Sequence, residues 1–372
     1  MATWKRTLSR LAAAVDRRLD GGVPLPPRRI VAYRGWGDHE EVVVSGRVLA
    51  DAPIARSGEA DPWWRNLHAA LRRLQSEEVP AARIVAALAG DETEALTDRE
   101  GYFRARLRPG SLPHDTDWHR IRLRLAGDPS IETDGWVLTP GPAARIGVIS
   151  DLDDTVIRSE IGSFFRMARG VLLRNARTRL PFPGVARFYD ALRAGAAGGE
   201  RNPLFYVSSS PWNLYELLVE FMEHHGVPDG PLVLRDWGLS EESFPIGGHA
   251  VHKLAHLRDI LARYPALPFL LLGDSGQEDP EVYRRVALEF PGRIPAVYIR
   301  DVASHPARRA AIHALGAELR NAGTDLVVAA DTVAVAEHAA TRGWIADRSV
   351  EEVKQEVHAA HERPAPSPGT GR

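Results

Sequence analysis

Three aspartates lie within four positions of one another in the segment RIGVISDLDDTV, which spans residues 145–156. They are Asp151, Asp153 and Asp154, and an apolar run leads directly into them. Carboxylates at this spacing repel one another, and the end of a buried strand is a costly place for negative charge. A bound cation would offset both effects, so the pattern favours a metal site.

Polar residues also follow two apolar runs farther along the chain. Ser208 follows the run LFYV, and Asp274 follows the run FLLLG. Because ligands of parallel sheets bind beyond the carboxyl ends of the strands, Asp274 is expected beside Asp151 and Asp153. Carboxylate oxygens suit Mg²⁺, which also keeps positions for water and a phosphate oxygen. These residues therefore predict Mg²⁺ as the cofactor.

The elements that must position these side chains are short strands that alternate with helical segments. From residue 145 to about 350 the strand-like runs are uniformly apolar, which predicts an α/β domain with a parallel sheet covered on both faces. Residues 28–140 alternate apolar and polar positions instead, which predicts a smaller, β-rich, sandwich-like domain. Residues 1–27 predict a basic amphipathic helix with a proline-rich linker, and residues 363–372 predict a disordered tail.

Two strand-like segments of the β-rich region carry an arginine at every second position. They are GYFRARLR (101–108) and HRIRLRLAG (119–127). If these strands pair, two arginine ladders lie side by side, and their mutual repulsion favours an anionic partner. The alternative interpretation is a solvated face on which aspartates and glutamates neutralise the arginines.

The order of the candidate residues resembles the haloacid-dehalogenase (HAD) superfamily of aspartate-nucleophile phosphatases, which carry four motifs. The segment from Asp151 to Thr155 resembles the first motif, and Ser208 in LFYVSSSP resembles the second. The third resembles Lys253 in VHKLAHL, and the fourth resembles Gly273 to Asp279. The resemblance implies that the domain at 145–350 is a HAD-like, Rossmannoid sheet flanked by helices.

The residues in and around these motifs are similar to those of the App1 family over roughly residues 145–345. The similar segments are LDDTVIRS, FYVSSSPWNLY, HK, LLLGDSGQEDPEVY and AEHAATRGWI. Fungal members of this family are Mg²⁺-dependent phosphatidate phosphatases. The second motif reads SSSPW where the family would have SNSPW, and the serine keeps a hydrogen-bonding side chain at that position.

The resemblance implies a reaction in two steps. Asp151 attacks phosphorus to form an aspartyl-phosphate, while Asp153 protonates the leaving alcohol and then activates the water that hydrolyses the intermediate. Lys253 neutralises charge on the nucleophile and on the phosphoryl group.

The resemblance also implies two sets of binding residues. The phosphate-binding residues are Ser208, Ser209, Thr155 and Lys253. The metal-binding residues are Asp151, Asp153, Asp274 and Asp279. Among them Asp279 acts as a support, because it orients metal-bound water or Lys253.

A phosphate monoester is the expected substrate, with phosphatidate or a related lipid phosphate as the first interpretation. Residues 159–180 mix arginines with Phe164 and Phe165, and in HAD enzymes a segment at this position can cap the site. A soluble nucleotide, sugar phosphate or polynucleotide end is the alternative substrate. A non-enzymatic lipid- or protein-binding module is the third function class.

The composition limits partners and location. The net charge of −2 argues against a nucleic-acid partner, and the lack of cysteine excludes thiol catalysis and disulfides. No run approaches the roughly 18 apolar residues of a transmembrane segment. A cytoplasmic location is the expectation, and a peripheral membrane contact through the N-terminal helix is the alternative to docking of that helix on its own domain.

Overall fold

The computed structural model describes residues 28–50, 78–152, 182–235, 248–302 and 305–362. Within these ranges the chain forms an eight-stranded sheet, a six-stranded sheet and the helices that cover the second sheet. No helix in the same ranges is long and apolar enough to cross a membrane. The predictions for residues 1–27, for the segment 159–180 and for residues 363–372 lie outside the described residues.

The first sheet contains the strands between residues 29 and 138. They are β1 (Arg29–Ala32), β2 (Gly35–Gly37), β3 (Val42–Leu49), β4 (Arg83–Leu88), β5 (Asp91–Leu96), β6 (Tyr102–Leu107), β7 (Trp118–Leu125) and β8 (Asp128–Leu138). Their order is β1-β3-β2-β8-β7-β4-β5, with β6 paired to β3, and every pair is antiparallel except β2 with β8. Because β5 also contacts β6, the sheet curves round an apolar interior. The expectation of a β-rich region is confirmed.

The alternating sequence of β6 and β7 decides which face of these strands is buried. Phe103, Ala105 and Leu107 of β6 point into the apolar interior, together with Ile121 and Leu123 of β7. Side chains in a strand alternate between the two faces, so the intervening arginines point outward.

The arginine-rich strands β6 and β7 are not neighbours, contrary to the pairing considered from the sequence. Strand β6 pairs with β3, and β7 lies between β4 and β8. Acidic residues of the same sheet pair with the arginines of β7: Arg120 lies 2.5 Å from Asp134 of β8, and Arg124 lies 2.7 Å from Glu92 of β5. These ion pairs favour the interpretation of a solvated, charge-balanced face.

The second sheet is parallel, and its strands are largely apolar before their carboxyl ends. Its strands are β9 (Gly147–Asp151), β10 (Leu204–Pro211), β11 (Leu232–Arg235), β12 (Phe269–Asp274), β13 (Ala296–Arg300) and β14 (Asp325–Ala329), in the order β11-β10-β9-β12-β13-β14. All residues of β9 and β12 are buried. Strands buried on both faces have no polar face to alternate with, which explains their continuous apolar runs. The expected mixed α/β architecture is confirmed.

The helices follow the strands of the second sheet in alternation. They are α1 (Val185–Ala194), α2 (Tyr215–His224), α3 (Gly248–Arg263), α4 (Asp279–Glu289), α5 (Pro306–Asn321), α6 (Thr332–Thr341) and α7 (Asp347–Glu362). A 3₁₀ turn at Trp212–Leu214 leads into α2. The last helix, α7, runs beyond residue 350 and buries Val350 and Val353 in the core.

The two sheets share apolar clusters rather than meeting at a polar seam. Val31 of β1, Leu49 of β3 and Tyr33, which joins β1 to β2, lie in one buried cluster. The same cluster contains Leu214 and Tyr215, which precede and begin α2. Since these side chains exclude water together, the first sheet packs directly against the part of the second sheet around β10 and α2.

Polar contacts tie the same interface at both of its ends. The guanidinium of Arg29 donates to both carboxylate oxygens of Glu216, each at 3.0 Å. The hydroxyl of Tyr264 donates to the carbonyl oxygen of Gly37 at 2.8 Å. The first sheet is therefore held to α2 on one side and to the end of α3 on the other.

Candidate active site

Asp151 ends β9, which lies between β10 and β12 in the interior of the parallel sheet. The residue is 1% exposed. The register places Val207 beside Asp151 and Leu272 beside Ser150. Residues that follow Val207 and Leu272 therefore lie at the same edge of the sheet as Asp151.

Two further carboxylates join Asp151 at this edge. Asp274 is the last residue of β12, and Asp279 is the first residue of α4. One ligand atom from each of the three aspartates lies within 4.8 Å of the other two, and all three residues are buried. Asp151, Asp274 and Asp279 are three of the four metal-binding residues that the resemblance implies, and the structure places these three close together.

Gly273 allows Asp279 to approach the strand. A Cβ atom at position 273 would lie 2.3 Å from Oδ2 of Asp279, which is closer than any carbon normally comes. The backbone N–H of Asp274 donates to the same Oδ2 at 3.2 Å. The glycine before Asp274 therefore leaves the space that the carboxylate of Asp279 occupies.

The carboxylate of Asp274 is oriented by the loop that follows it. Its Oδ1 accepts hydrogen bonds from the backbone N–H groups of Gly276, at 2.6 Å, and Gln277, at 3.1 Å. Two amide donors on one oxygen stabilise the ionised form and fix the rotation of the side chain.

Lys253 of α3 reaches the aspartate cluster from the side. Its ammonium Nζ lies 3.0 Å from Oδ1 of Asp151 and also bonds to Oδ1 of Asp279. Burial would lower the pKa of Lys253, but the charges of Asp151 and Asp279 outweigh it and raise that pKa above its usual value. The site therefore contains a protonated lysine that connects β9 to α4.

A chain of hydrogen bonds supports the backbone of Asp151 from behind. The hydroxyl of Ser150 donates to the carbonyl oxygen of Asp151 at 2.7 Å, and the hydroxyl of Tyr189 lies 2.6 Å from that serine oxygen. Because the serine proton is already used, Tyr189 is the donor. Burial raises the pKa of Tyr189, so the phenol keeps its proton.

The serines of the second motif end β10 next to Asp151. Ser208 is fully buried and its Oγ accepts from the backbone N–H of Ser210 at 2.9 Å, whereas Ser209 is half-buried. Both lie at the carboxyl edge of the sheet, where the expected phosphate would bind. Asp153 and Thr155 lie outside the described residues.

The donor set fits a divalent cation such as Mg²⁺. The three clustered groups are carboxylates, and oxygen is the ligand type that Mg²⁺ prefers. In the part of the chain that the structure describes, three buried carboxylates lie together with the ammonium group of Lys253. A bound divalent cation would offset the repulsion among these carboxylates.

Arg308 supports the loop that follows Asp274. No motif in the sequence marks this arginine. Its guanidinium donates to the carbonyl oxygens of Ser275, at 3.0 Å, and Gln277, at 2.6 Å. The carboxylate of Glu281, in the first turn of α4, binds the other side of the same guanidinium. Arg308 thus binds the carbonyl groups of the same loop whose amides orient Asp274.

A comparison with known protein families covers the segment that contains this site. Residues 146–301 match the family model described as "Phosphatidate phosphatase APP1, catalytic domain". The Saccharomyces cerevisiae protein "Phosphatidate phosphatase APP1" is 34% identical over 168 residues, which cover 43% of this chain and 28% of that protein. An uncharacterized protein of Schizosaccharomyces pombe is 28% identical over 160 residues, which cover 43% of this chain and 26% of its own.

The chain spans about a quarter of the length of these two relatives. Among solved structures, a carbohydrate acetylesterase from Xanthomonas citri is 13% identical and covers 87% of this chain and 71% of its own, with a TM-score of 0.26. That score is too low to bear on fold or function. The family match covers Asp151, Ser208, Lys253, Asp274 and Asp279. Residues 146–301 are therefore similar to the catalytic domain of the App1 family, which is the resemblance that the motifs indicated.

Proposed function

We propose that this chain is a Mg²⁺-dependent phosphatase that hydrolyses phosphatidate or a related lipid phosphate through an aspartyl-phosphate intermediate. The observation that supports this most directly is the buried group of Asp151, Asp274 and Asp279 with Lys253 between two of them. The strand order around β9 and the four motifs support a HAD-like fold for the domain at 145–350. The region at 28–140 is its β-rich accessory domain.

Asp151 is the proposed nucleophile. Lys253 keeps the carboxylate of Asp151 ionised. Its ammonium group would reduce the repulsion between that carboxylate and an incoming phosphate dianion. A bond forms between a carboxylate oxygen of Asp151 and phosphorus while the bond from phosphorus to the alcohol oxygen breaks. The chain of Tyr189 and Ser150 holds the backbone of Asp151 in place during both steps.

Asp153 is the proposed acid and base, on the strength of its place in the first motif. It gives a proton to the departing alcohol and then takes a proton from the water that attacks the aspartyl-phosphate. Hydrolysis releases phosphate and restores Asp151.

The remaining motif residues bind the phosphate and the cofactor. Ser208 and Ser209, with Thr155, are proposed to donate hydrogen bonds to the phosphoryl oxygens. Asp151, Asp274 and Asp279, with Asp153, would hold Mg²⁺, which when bound neutralises charge on those oxygens. Asp274 is suited to this because two amides fix its orientation.

The printed name of the yeast relative, a phosphatidate phosphatase, supports the lipid substrate. A lipid substrate also implies contact with a membrane surface, so we place the enzyme in the cytoplasm with peripheral membrane association.

The test is phosphate release from dioleoyl-phosphatidate vesicles and from a panel of soluble phosphoesters, each with Mg²⁺ or with EDTA. We expect release from the vesicles that needs Mg²⁺ and disappears in Asp151→Asn. The matched control is Asp190→Asn, which removes an aspartate of α1 that pairs with Arg193 on the surface. Equal or faster turnover of the soluble panel would replace the lipid assignment by the soluble one, and undiminished release by Asp151→Asn would refute the nucleophile.

A further inference from the structure

The first sheet contacts the turn that follows the serines of the second motif. Oδ1 of Asn213 accepts a hydrogen bond from Nη1 of Arg47 at 2.9 Å and another from the hydroxyl of Tyr102 at 3.1 Å. Arg47 lies in β3 and Tyr102 in β6, both in the first sheet. Asn213 lies in the 3₁₀ turn between β10 and α2. Both acceptor positions of this amide oxygen are therefore filled from the other sheet.

The arginine in this contact is itself held in place by the first sheet. Arg47 is 5% exposed, its Nε donates to the carbonyl oxygen of Glu100 at 2.8 Å, and its Nη2 donates to Glu78 at 2.8 Å. Its guanidinium also lies 4.6 Å from the ring centre of Tyr102. A guanidinium with all these partners has a fixed position, so Arg47 is the anchor and Asn213 is the group that it positions.

A second contact holds the residue before Asn213. The ring of Trp212 stacks on Tyr33, which lies between β1 and β2 of the first sheet, with ring centres 4.4 Å apart and planes at 14°. Tyr33 also contacts Tyr215, the first residue of α2, at 4.4 Å. The whole turn from Trp212 to Tyr215 therefore rests on the first sheet.

The serine end of β10 lies between a regular strand ladder and this turn. Its pairing with β9 ends at Val207 and Asp151, and its register with β11 shifts between Val207 and Pro211. Ser208, Ser209 and Ser210 lie within that irregular stretch. This stretch begins where the ladder with β9 ends at Val207, and it ends where pairing with β11 resumes at Pro211, directly before the turn at Trp212 and Asn213. The turn therefore fixes one end of the segment that carries the serines.

We propose that the first sheet, through Arg47 and its bond to Asn213, positions the phosphate-binding serines of the active site. Arg47 is on this view a positioning residue: it touches no reacting group and acts through the turn. This inference rests on the proposed function, because it assigns the accessory sheet a part in the same phosphate site. It also gives the β-rich region a role beyond packing.

The experiment compares Asn213→Ala and Tyr102→Phe with wild type and with Arg263→Gln. Asn213→Ala removes the shared acceptor from a half-buried turn without touching Arg47, and Tyr102→Phe removes one of the two donors. Arg263→Gln is the matched control, because Arg263 joins the same two parts of the protein through Asp38, at 3.3 Å, and Glu41, at 2.8 Å, without touching the turn. Each protein is assayed for kcat, KM and thermal unfolding, and for binding of inorganic phosphate by calorimetry in the presence of Mg²⁺.

We expect Asn213→Ala to lower kcat by about tenfold or more and to weaken phosphate binding by a similar factor, since misplacement of a binding group by about 1 Å can cost about 100-fold. Tyr102→Phe should lose less, because the Arg47 bond remains. Both should unfold within a few degrees of Arg263→Gln, whose kcat and phosphate affinity stay at the wild-type level.

Two results would overturn the inference. If wild type is active but Asn213→Ala matches Arg263→Gln in kcat and phosphate affinity, Arg47 does not position the serines and the proposed function stands. If wild type neither releases phosphate from any ester nor binds inorganic phosphate, the proposed function fails and the inference fails with it.

Discussion

Lys253 and Asp151 form a buried ion pair across 102 positions of the chain, with Nζ 3.0 Å from Oδ1. The same ammonium group bonds to Asp279, so one lysine serves two carboxylates. Removing one partner of a buried pair leaves the other charges uncompensated, and this costs more than the pair contributes when intact. Lys253 therefore supports both the stability of the site and the charge balance that the proposed reaction needs.

Lys253→Met should destabilise the protein by about 3 kcal/mol or more, because Asp151 and Asp279 would remain buried without their counter-charge. Added Mg²⁺ should raise the unfolding temperature of this variant more than that of wild type, since the cation would replace the lost positive charge. Thermal unfolding with Mg²⁺ and with EDTA measures both effects. Lys354→Met is the control: Lys354 also bonds to two carboxylates, Glu337 and Glu351, but on the surface. Equal unfolding temperatures of the two variants in EDTA would contradict the prediction.

The stability that Lys253 contributes should not depend on pH in the mildly alkaline range. The charges of Asp151 and Asp279 raise the pKa of Lys253 above its usual value of 10.5, although burial opposes them. A raised pKa means that the contribution is fully present below the unfolded-state pKa and is lost only as pH rises through the folded-state pKa. Titration of Lys253 itself should thus leave the difference in unfolding free energy between wild type and Lys253→Met constant from about pH 8 to about pH 9. Denaturant titrations would refute this if the difference fell by half as pH rose across that range.

Arg308→Gln should weaken Mg²⁺ binding by about tenfold, because groups that orient metal ligands commonly contribute 10- to 100-fold to affinity. The variant loses the bonds to the carbonyl groups of Ser275 and Gln277, and so loosens the loop that orients Asp274. At saturating Mg²⁺ its kcat should approach that of wild type. Calorimetric titration with Mg²⁺ measures the affinity directly.

The control for this loop is Arg284→Gln. Arg284 pairs with Glu318 and so joins α4 to α5, as Arg308 does, but it has no bond to the loop. Its Mg²⁺ affinity should equal that of wild type. If the two variants bind Mg²⁺ equally well, the loop does not depend on Arg308.

The strand ends of the second sheet were predictable because each polar residue follows a uniformly apolar run. Asp151, Ser208 and Asp274 are found at one edge for that reason, since parallel strands align their carboxyl ends. Strand partners in the first sheet were not predictable in the same way. Alternation shows which face of β6 and β7 is buried but not which strands lie beside them, and the expected side-by-side arginine ladders do not occur.

The supporting arginines could not be found from the sequence. Arg47 bonds to Asn213 across 166 positions. Arg308 holds the loop through backbone carbonyl groups, which every residue possesses. Neither contact leaves a local pattern of spacing or composition. Helix α7 was likewise not expected, although its Val350 and Val353 are buried. Such features depend on how distant segments meet in the fold.

The shared apolar clusters mean that the segment matched by the family model is not a separable module. A fragment limited to residues 146–301 would lose Val31, Tyr33 and Leu49 from its own core, and it would also lose the helices α6 and α7 that pack beside α1. Trp212 and Tyr215 would then face water instead of Tyr33. We therefore expect the first sheet to unfold together with the segment that the family model matches, as one unit larger than that segment.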